Sequence, residues 1–161
     1  MKHYRESELA EAAFAAFAAD VTTKPTITLR GGNALDDYQQ LPQFEESIDA
    51  ITDAYLERYA WGIGYLDAAS WRHVLPYLMA YALRHISEGS DVVDAFLNSL
   101  RPPDRQPPRL ASLSAEQEIV VSRFIDVLAF SDESAHHELA CQTMEEWWAP
   151  SSLYRPSPDG A

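Results

Sequence analysis

Apolar side chains recur at steps of three and four residues along most of this 161-residue chain. That spacing places them on one face of an α-helix. It predicts six helices, over about residues 5–19, 44–59, 66–85, 91–100, 114–130 and 134–148. Local signals support several starts, because Asp67 and Ser90 are good N-cap residues and Ser114 forms a capping box with Gln117.

Two segments between these helices lack the helical pattern. Residues 21–43 contain Pro25 and Gly31-Gly32, which predicts a loop with at most one extended piece. The segment RPPDRQPPR, residues 101–109, is rich in proline and predicts a stiff connector. The expected fold is therefore all-α, an irregular single-domain bundle of about six helices with a proline-rich connector. We expect the helical domain over residues 1–150 and a loosely held C-terminal tail over 151–161.

The helix expected over residues 66–85 carries two stripes at helical spacing. One is an apolar core stripe of Trp71, Leu75, Leu78, Ala82 and Ile86. The other is amphipathic and consists of His73, Tyr77, Tyr81 and then Arg84 or His85. It suits either the edge of the core or a recognition face in which Tyr77 and Tyr81 contact a partner. Pro76 cannot donate a backbone hydrogen bond, so a kink or a restart is expected near residues 72–76.

The composition is that of a folded and acidic protein. Hydrophobic residues make up 47% of the chain and aromatic residues 11%, which supports a buried core. The formal net charge of −13 disfavours binding to nucleic acid or to anionic lipid, since both are polyanions. No apolar run reaches the ~18 residues of a membrane helix. With one cysteine and no signal-peptide pattern, a soluble cytoplasmic protein is expected.

The acidic charge is concentrated in two blocks. Residues 31–60 carry seven acids against one base, and residues 132–161 carry six against one. A candidate acidic face consists of a row at steps of four with its neighbours: Asp49, Asp53 and Glu57, then Glu45 and Glu46 one turn earlier, then Asp36 and Asp37 in the preceding loop. This face is either a solvated surface or a docking surface for a basic protein.

The C-terminal run EEWWAP offers a second candidate contact. Trp147 and Trp148 are adjacent, so they do not face the same side of a helix. We expect one indole to dock into the bundle. The other, taken as Trp148, is expected to be exposed as an interface anchor beside the acids of the second block.

Candidate catalytic and metal-binding residues are few. His136 and His137 are adjacent and point about 100° apart on a helix, so one metal ion can hardly use both. His137 and Cys141 do have the spacing of a helical ligand pair, or of a thiol with a neighbouring base. Two ligands make a weak metal site, and the charge of Glu138 opposes thiolate formation. We therefore predict no catalytic residue, no metal and no cofactor.

The central part of the chain resembles an uncharacterised family of small bacterial all-helical proteins, a domain of unknown function. The residues that carry the resemblance are Trp71-Arg72-His73, Leu75-Pro76 and Ala82-Leu83-Arg84, within about residues 50–130. Members of that family often have two cysteines after the first helix. This chain has none there, so any role of that pair does not transfer. The resemblance implies a bacterial cytosolic protein and supplies no activity.

The leading functional hypothesis is a non-enzymatic protein-binding module. In size and charge the chain is similar to immunity proteins, which block a cognate toxin. This analogy rests on the general type of protein and not on a shared sequence motif. The hypothesis is that the acidic face binds and occludes a basic toxin domain. Two alternatives stay open: an acidic nucleic-acid mimic that inhibits a nuclease or defence complex, and a small metal or thiol enzyme that uses His137 and Cys141. The sequence makes no prediction of oligomeric state.

Overall fold

The structure, a computed structural model, describes residues 2–156 and the side chains of residues 6–156. In this range the fold is all-α, with nine α-helices and no strand. The helices are α1 (Lys2–Ala16), α2 (Ala18–Thr22), α3 (Leu29–Asp36), α4 (Glu46–Asp49), α5 (Asp53–Tyr59), α6 (Ala68–Arg84), α7 (Asp91–Ser99), α8 (Ala115–Phe130) and α9 (His137–Thr143). Two 3₁₀ helices, Ala60–Tyr65 and Leu110–Ser112, and a π-helical turn, Met144–Trp148, lie between or after them.

Helix α6 forms the centre of the core. The Asp67 side chain caps it by accepting the backbone N–H of Ser70 at 3.0 Å, as predicted. All members of the predicted core stripe, from Trp71 to Ile86, are buried. Helices α1, α2 and α7 pack against α6, while α8 packs against α1 and α9. The helix runs through Pro76 as one element and does not restart there.

The predicted starts of α7 and α8 are confirmed by their caps. The Ser90 hydroxyl accepts the backbone N–H of Val93 at 3.3 Å. The Ser114 hydroxyl accepts the N–H of Gln117 at 3.2 Å, and the Gln117 side chain accepts the N–H of Ser114 at 3.0 Å. These two pairs satisfy backbone donors that a helix leaves free in its first turn.

Helix α3 corrects the prediction of an irregular segment over residues 21–43. Thr28 caps this helix, and Gly31 and Gly32 lie inside it. A Cβ on Gly32 would lie 2.2 Å from the carbonyl oxygen of Gly62, and a Cβ on Gly62 would lie 2.2 Å from that of Leu29. The glycines therefore serve a close backbone contact between α3 and the 3₁₀ helix Ala60–Tyr65, rather than a loop.

The prediction of one helix over residues 44–59 is wrong. The chain forms α4 and α5 instead, with Ala50 and Thr52 in extended conformations between them, and the Thr52 side chain caps α5. The break allows the Tyr55 hydroxyl to donate to the Asp49 carboxylate at 2.7 Å. On a continuous helix these two residues would point about 120° apart and could not meet.

The proline-rich connector is ordered by the side chain of Asp104. Its two oxygens accept four backbone N–H groups, those of Arg105, Arg109, Leu110 and Ala111, at 2.8–2.9 Å. This turn directs the buried Arg109 guanidinium toward the carbonyls of Ile63 and Leu66. Burial lowers the pKa of Arg109 to about 10. The connector thus covers the end of the 3₁₀ helix Ala60–Tyr65.

The C-terminal segment folds back along the π-helical turn. The backbone N–H groups of Leu153 and Tyr154 donate to the carbonyls of Glu145 and Glu146, at 2.9 and 3.1 Å. The rest of the predicted tail, residues 157–161, lies outside the described residues. Among the helices of residues 2–156, none combines the length and the apolar character needed to cross a lipid bilayer.

Candidate functional site

Five members of the predicted acidic face are exposed at the surface, namely Glu57 on α5 and two pairs of residues. Asp36 and Asp37 lie at the end of α3, and Glu45 and Glu46 lie at the start of α4. The Tyr65 hydroxyl donates to Asp36 at 2.8 Å, and this hydrogen bond raises the pKa of Tyr65. The two pairs belong to separate helices, so they do not continue one regular row.

Asp49 is buried and, contrary to the prediction, does not belong to an exposed acidic face. Its carboxylate is buried and accepts two hydrogen bonds from Arg30, of 3.0 and 2.8 Å. The backbone N–H of Glu45 and the Tyr55 hydroxyl also donate to it. Burial alone would raise the pKa of Asp49, but these hydrogen bonds and the charge of Arg30 outweigh it, and the pKa lies below its ordinary value. Asp49 therefore acts as a structural anchor between α3, α4 and α5.

Asp53 is held by two cationic groups at the end of α6. One carboxylate oxygen accepts from Arg84, and the other lies 3.1 Å from Nε2 of His85. The hydrogen bond from His85, followed by that from Arg84, lowers the pKa of Asp53 despite its partial burial. The same contact with Asp53, aided by Glu88 at 3.3 Å, raises the pKa of His85. His85 therefore favours its protonated form between two carboxylates.

A cavity of about 280 Å³ lies beside this network, between α5, the end of α6 and the start of α7. We call it the acidic pocket and define it by five of its lining side chains: Glu57, Tyr81, His85, Glu88 and Asp91. The rings of Tyr81 and His85 are in contact, with centroids 4.3 Å apart and planes tilted by 35°. Burial is the first cause of the raised pKa of Tyr81, which keeps its phenol protonated. The pocket therefore has a mostly polar lining, in which the Tyr81 phenol and the His85 imidazole lie beside three carboxylates.

The charge balance around the acidic pocket is negative. Glu57, Glu88 and Asp91 line it and Asp53 contacts His85, while Arg84 and, when it is protonated, His85 are the cations of the network. Five arginines form ion pairs with acidic residues of the same chain: Arg30, Arg72, Arg84, Arg101 and Arg155. The chain as a whole keeps an excess of acids, with 25 acidic against 12 basic residues. The arrangement suits a guanidinium or ammonium group from outside.

The aromatic anchors proposed from the sequence are mostly part of the core. Tyr81 is 4% exposed, and Tyr77 packs edge-on against Phe14 with ring centroids 5.0 Å apart. Trp148 is buried, which corrects the expectation of an exposed indole, and its Nε1 donates to the Leu100 carbonyl at 2.9 Å. The π-helical turn packs against α8 and α9, and the C-terminal segment folds back along it with the Arg155 guanidinium over the Trp147 ring, so both adjacent indoles are buried.

His137 and Cys141 converge on one backbone group. The Ala129 carbonyl lies 2.8 Å from Nδ1 of His137 and 3.9 Å from Sγ of Cys141. Both side chains thus contact the C-terminal end of α8, where carbonyls lack helical partners. In the described part of the chain, no three His, Cys, Asp or Glu side chains are placed to hold a metal ion.

Asp53, Glu57 and Tyr81 were predicted as binding residues from the sequence, but the site that they share was not. His85 was predicted only as a possible last residue of the amphipathic stripe of α6. Glu88 and Asp91 were not included in the predicted acidic face. The signal that links them is the short turn between α6 and α7, which brings the start of α7 back toward α5. Contact between α5 and α7 is tertiary, so helical spacing alone does not reveal it.

Comparison with known families gives a match over most of the chain. The chain belongs to DUF6714, a family of unknown function, whose model matches residues 5–152. No curated protein and no solved structure matches this chain.

Proposed function

We propose that this member of DUF6714 is a non-enzymatic protein-binding module that binds a basic protein partner through its acidic pocket. More specifically, we propose that the chain is an immunity protein, a bacterial cytoplasmic inhibitor that neutralises a cognate toxin domain. The observation that carries the proposal is the acidic pocket itself, a cavity of about 280 Å³ that is lined by Glu57, Glu88 and Asp91.

The chemistry of the pocket favours a lysine or arginine side chain of the partner. A cation entering it meets the carboxylates of Glu57, Glu88 and Asp91 and the ring of Tyr81. Arginine side chains use both kinds of contact, because the planar guanidinium binds carboxylates and stacks on aromatic rings. The exposed acids of α3 and α4 extend the negative surface and would speed association with a basic protein.

Inhibition would follow from occlusion. Toxins that act on nucleic acid need basic residues around their active sites, because their substrate is a polyanion. A protein that binds those residues blocks the substrate without any chemistry of its own. This mechanism requires a rigid acidic surface, and the ion pairs of Asp49 and Asp53 fasten α4 and α5 to the rest of the fold.

The two alternatives draw less support from the geometry. A nucleic-acid mimic needs carboxylates spaced like phosphates along an extended surface. The break between α4 and α5 and the burial of Asp49 interrupt the regular row that suggested it. A thiol or metal enzyme would use His137 and Cys141, but both side chains are directed to the Ala129 carbonyl, which favours a structural role.

Capture of the partner tests the proposal. The chain is immobilised and exposed to lysate and culture fluid of its host, in three forms: unchanged, Glu57→Lys/Asp91→Lys, and Glu116→Lys/Asp126→Lys. The last pair lies on exposed sites of α8 and changes the net charge by the same amount. We expect one basic protein to bind the unchanged chain and the α8 variant in a 1:1 ratio, and the pocket variant to lose it.

A second step tests inhibition. The captured protein is expressed alone and together with this chain in a bacterial host. We expect expression alone to stop growth and co-expression to restore it. Recovery of no stoichiometric partner, or of an acidic one, would contradict the binding proposal. Growth arrest that persists on co-expression would contradict inhibition while leaving binding intact.

A further inference from the structure

The outer side of α8 carries two large apolar side chains. Ile119 is 55% exposed and Phe130 is 67% exposed, whereas the opposite side of this helix is buried in the core. Arg123 and Asp126 lie between them and are also exposed. The four residues follow at steps of four, three and four, so they fall within about 60° of one another around the helix axis. We call this stripe the α8 face, and the proposed function makes no use of it.

The two charged residues of the α8 face have no ion pair within the described part of the chain. Arg123 and Asp126 are three positions apart on the helix, yet no ion pair joins them, and neither is paired with another described residue. Their charges lie between two exposed apolar groups on a side of the helix that is normally polar. The face therefore has both unpaired charge and apolar surface free to contact a partner.

The order of residues along the α8 face is complementary to itself. From the N-terminal end the order is apolar, positive, negative and apolar, and from the C-terminal end it is apolar, negative, positive and apolar. An antiparallel copy of the face therefore matches it at every position, because opposite charges meet and apolar groups meet. The rise of about 1.5 Å per residue also places Ile119 and Phe130 at equal distances, about 8 Å, from the midpoint between the two charges.

We propose that the α8 face binds the same face of a second copy of this chain, in an antiparallel pair of helices related by a two-fold axis. The axis passes through the midpoint between Arg123 and Asp126. Arg123 then lies beside Asp126 of the second copy, Ile119 lies beside Phe130 of the second copy, and each contact occurs twice. Packed helices lie about 8–10 Å apart, a distance that these side chains span.

Acidic residues beyond both ends of the α8 face limit the strength of this pair. Glu116 lies at the N-terminal end of α8, and in the antiparallel pair it faces the loop of the second copy that contains Asp132 and Glu133. These like charges repel one another, and salt screens the repulsion. A single pair of helices also lies at the small end of specific interfaces. We therefore expect a dissociation constant of about 10–100 µM at physiological salt.

Charge reversal tests the contact between Arg123 and Asp126 of the second copy. The mass of the full chain is measured by analytical ultracentrifugation from about 1 µM to about 1 mM. We expect the unchanged chain to form dimers as its concentration rises. Arg123→Asp and Asp126→Arg should each weaken dimerisation about tenfold or more, because like charges then meet twice across the axis.

Two combinations of these changes should restore the dimer. The double variant Arg123→Asp/Asp126→Arg again brings opposite charges together and keeps the original net charge, so it should dimerise like the unchanged chain. An equimolar mixture of the two single variants should also form a dimer, because each acid of one chain then meets an arginine of the other. Only an antiparallel pair with this axis predicts that mixing two weakened variants restores association.

Matched controls separate the α8 face from general effects of charge and folding. Glu46→Arg makes the same change in charge as Asp126→Arg on an exposed site of α4, and it should alter dimerisation less than about twofold. Phe130→Ala should weaken the dimer about tenfold, whereas Leu153→Ala, at an equally exposed apolar residue outside the face, should not. All variants should melt like the unchanged chain at low micromolar concentration.

The proposal is overturned if the unchanged chain stays monomeric up to about 1 mM, if the double reversal is as weak as the single ones, or if Glu46→Arg dissociates the dimer equally. Assemblies larger than a dimer would indicate a head-to-tail contact and would overturn it as well. No residue of the α8 face lines the acidic pocket, so dimerisation and binding of the basic partner can fail independently. At about 1 µM the chain is monomeric, and partner binding is compared at that concentration.

Discussion

The guanidinium of Arg30 on α3 binds the buried carboxylate of Asp49 on α4 through two hydrogen bonds, of 3.0 Å from Nε and 2.8 Å from Nη2. The Asp49 side chain is 1% exposed and that of Arg30 18%. Tyr55 on α5 donates to the same carboxylate, so one acid ties three helices together. This contact explains why the acidic residues after Phe44 do not form one exposed row.

Loss of the Asp49 carboxylate should destabilise the fold. We expect Asp49→Ala to lower the free energy of unfolding by about 3 kcal/mol, because Arg30 and Tyr55 would lose their shared acceptor. Glu46→Ala, an exposed change on the same helix, should stay within about 0.5 kcal/mol. Urea denaturation of the two variants measures both values. Equal stabilities for Asp49→Ala and Glu46→Ala would show that the buried ion pair does not fasten α4.

The close contact between Gly32 and Gly62 predicts a second pair of sensitive positions. A methyl group at either site would lie 2.2 Å from a backbone carbonyl oxygen, which a rotamer change cannot relieve. We expect Gly32→Ala and Gly62→Ala each to cost about 3 kcal/mol or more. Gly64 is the matched control in the same 3₁₀ helix, since a Cβ there meets no atom within 4 Å. Thermal unfolding should leave Gly64→Ala close to the unchanged chain. A large loss at Gly64 would mean that glycine is needed for chain flexibility rather than for close packing.

Local signals in the sequence were enough to predict much of the fold. Asp67, Ser90 and Ser114 cap the helices that follow them, and cap bonds join residues three positions apart. The stripe of α6 was likewise predicted, because burial on one helix face follows the helical period. The all-α class followed from these elements.

Tertiary contacts decide what the sequence did not reveal. Helix α3 contains two glycines that disfavour a helix locally, and it forms because they allow close packing on the 3₁₀ helix Ala60–Tyr65. The break before α5 depends on Arg30, which is 19 residues away from Asp49. The burial of Trp148 depends on the end of α7 at Leu100. Of the residues proposed for binding, Glu57 and Tyr81 line the acidic pocket, whereas Asp49 and Trp148 are structural.

His85 should titrate above its ordinary range because Asp53 and Glu88 stabilise the imidazolium. Its folded pKa is raised, so the stability it contributes is present below the unfolded pKa of about 6.5 and is lost as the pH rises through the folded pKa. We expect Asp53→Asn to lower the pKa of His85, because the imidazolium loses its hydrogen bond to the Asp53 carboxylate and the attraction of that charge. NMR titration of the His85 ring protons measures this shift. The control Glu46→Gln should leave the midpoint in place, and an equal midpoint in Asp53→Asn would contradict the assigned contact.

His136 should make the stability of the fold depend on pH in the opposite direction to His85. Its ring is buried, Nε2 has no partner among the described residues, and burial lowers its pKa although Asp94 opposes that effect. The unfolded chain therefore binds this proton first, and stability is lost as the pH falls from about 6.5 toward the folded pKa. One such proton changes the free energy of unfolding by at most about 1.4 kcal/mol per pH unit.

Replacement by an apolar ring should remove this acid sensitivity. We expect His136→Phe to gain stability relative to the unchanged chain as the pH is lowered from 7 to 5, in urea denaturation at each pH. His137→Gln, at the exposed neighbour, gives the baseline for removing one histidine, since Gln keeps a side-chain donor near the Ala129 carbonyl. A parallel pH dependence for His136→Phe and the unchanged chain would show that His136 does not resist protonation in the fold.

The association rate with the captured basic partner tests the central claim, that the acidic pocket binds it. Stopped-flow rates are measured at low and at physiological salt for the unchanged chain, Glu57→Lys/Asp91→Lys and Glu116→Lys/Asp126→Lys. Both variants reduce the net negative charge equally, so only the position of the charge differs. We predict that the pocket variant associates at least about tenfold more slowly at low salt and loses most of its salt dependence, while the α8 variant changes less than about twofold. Equal rates for the two variants would contradict binding through the acidic pocket.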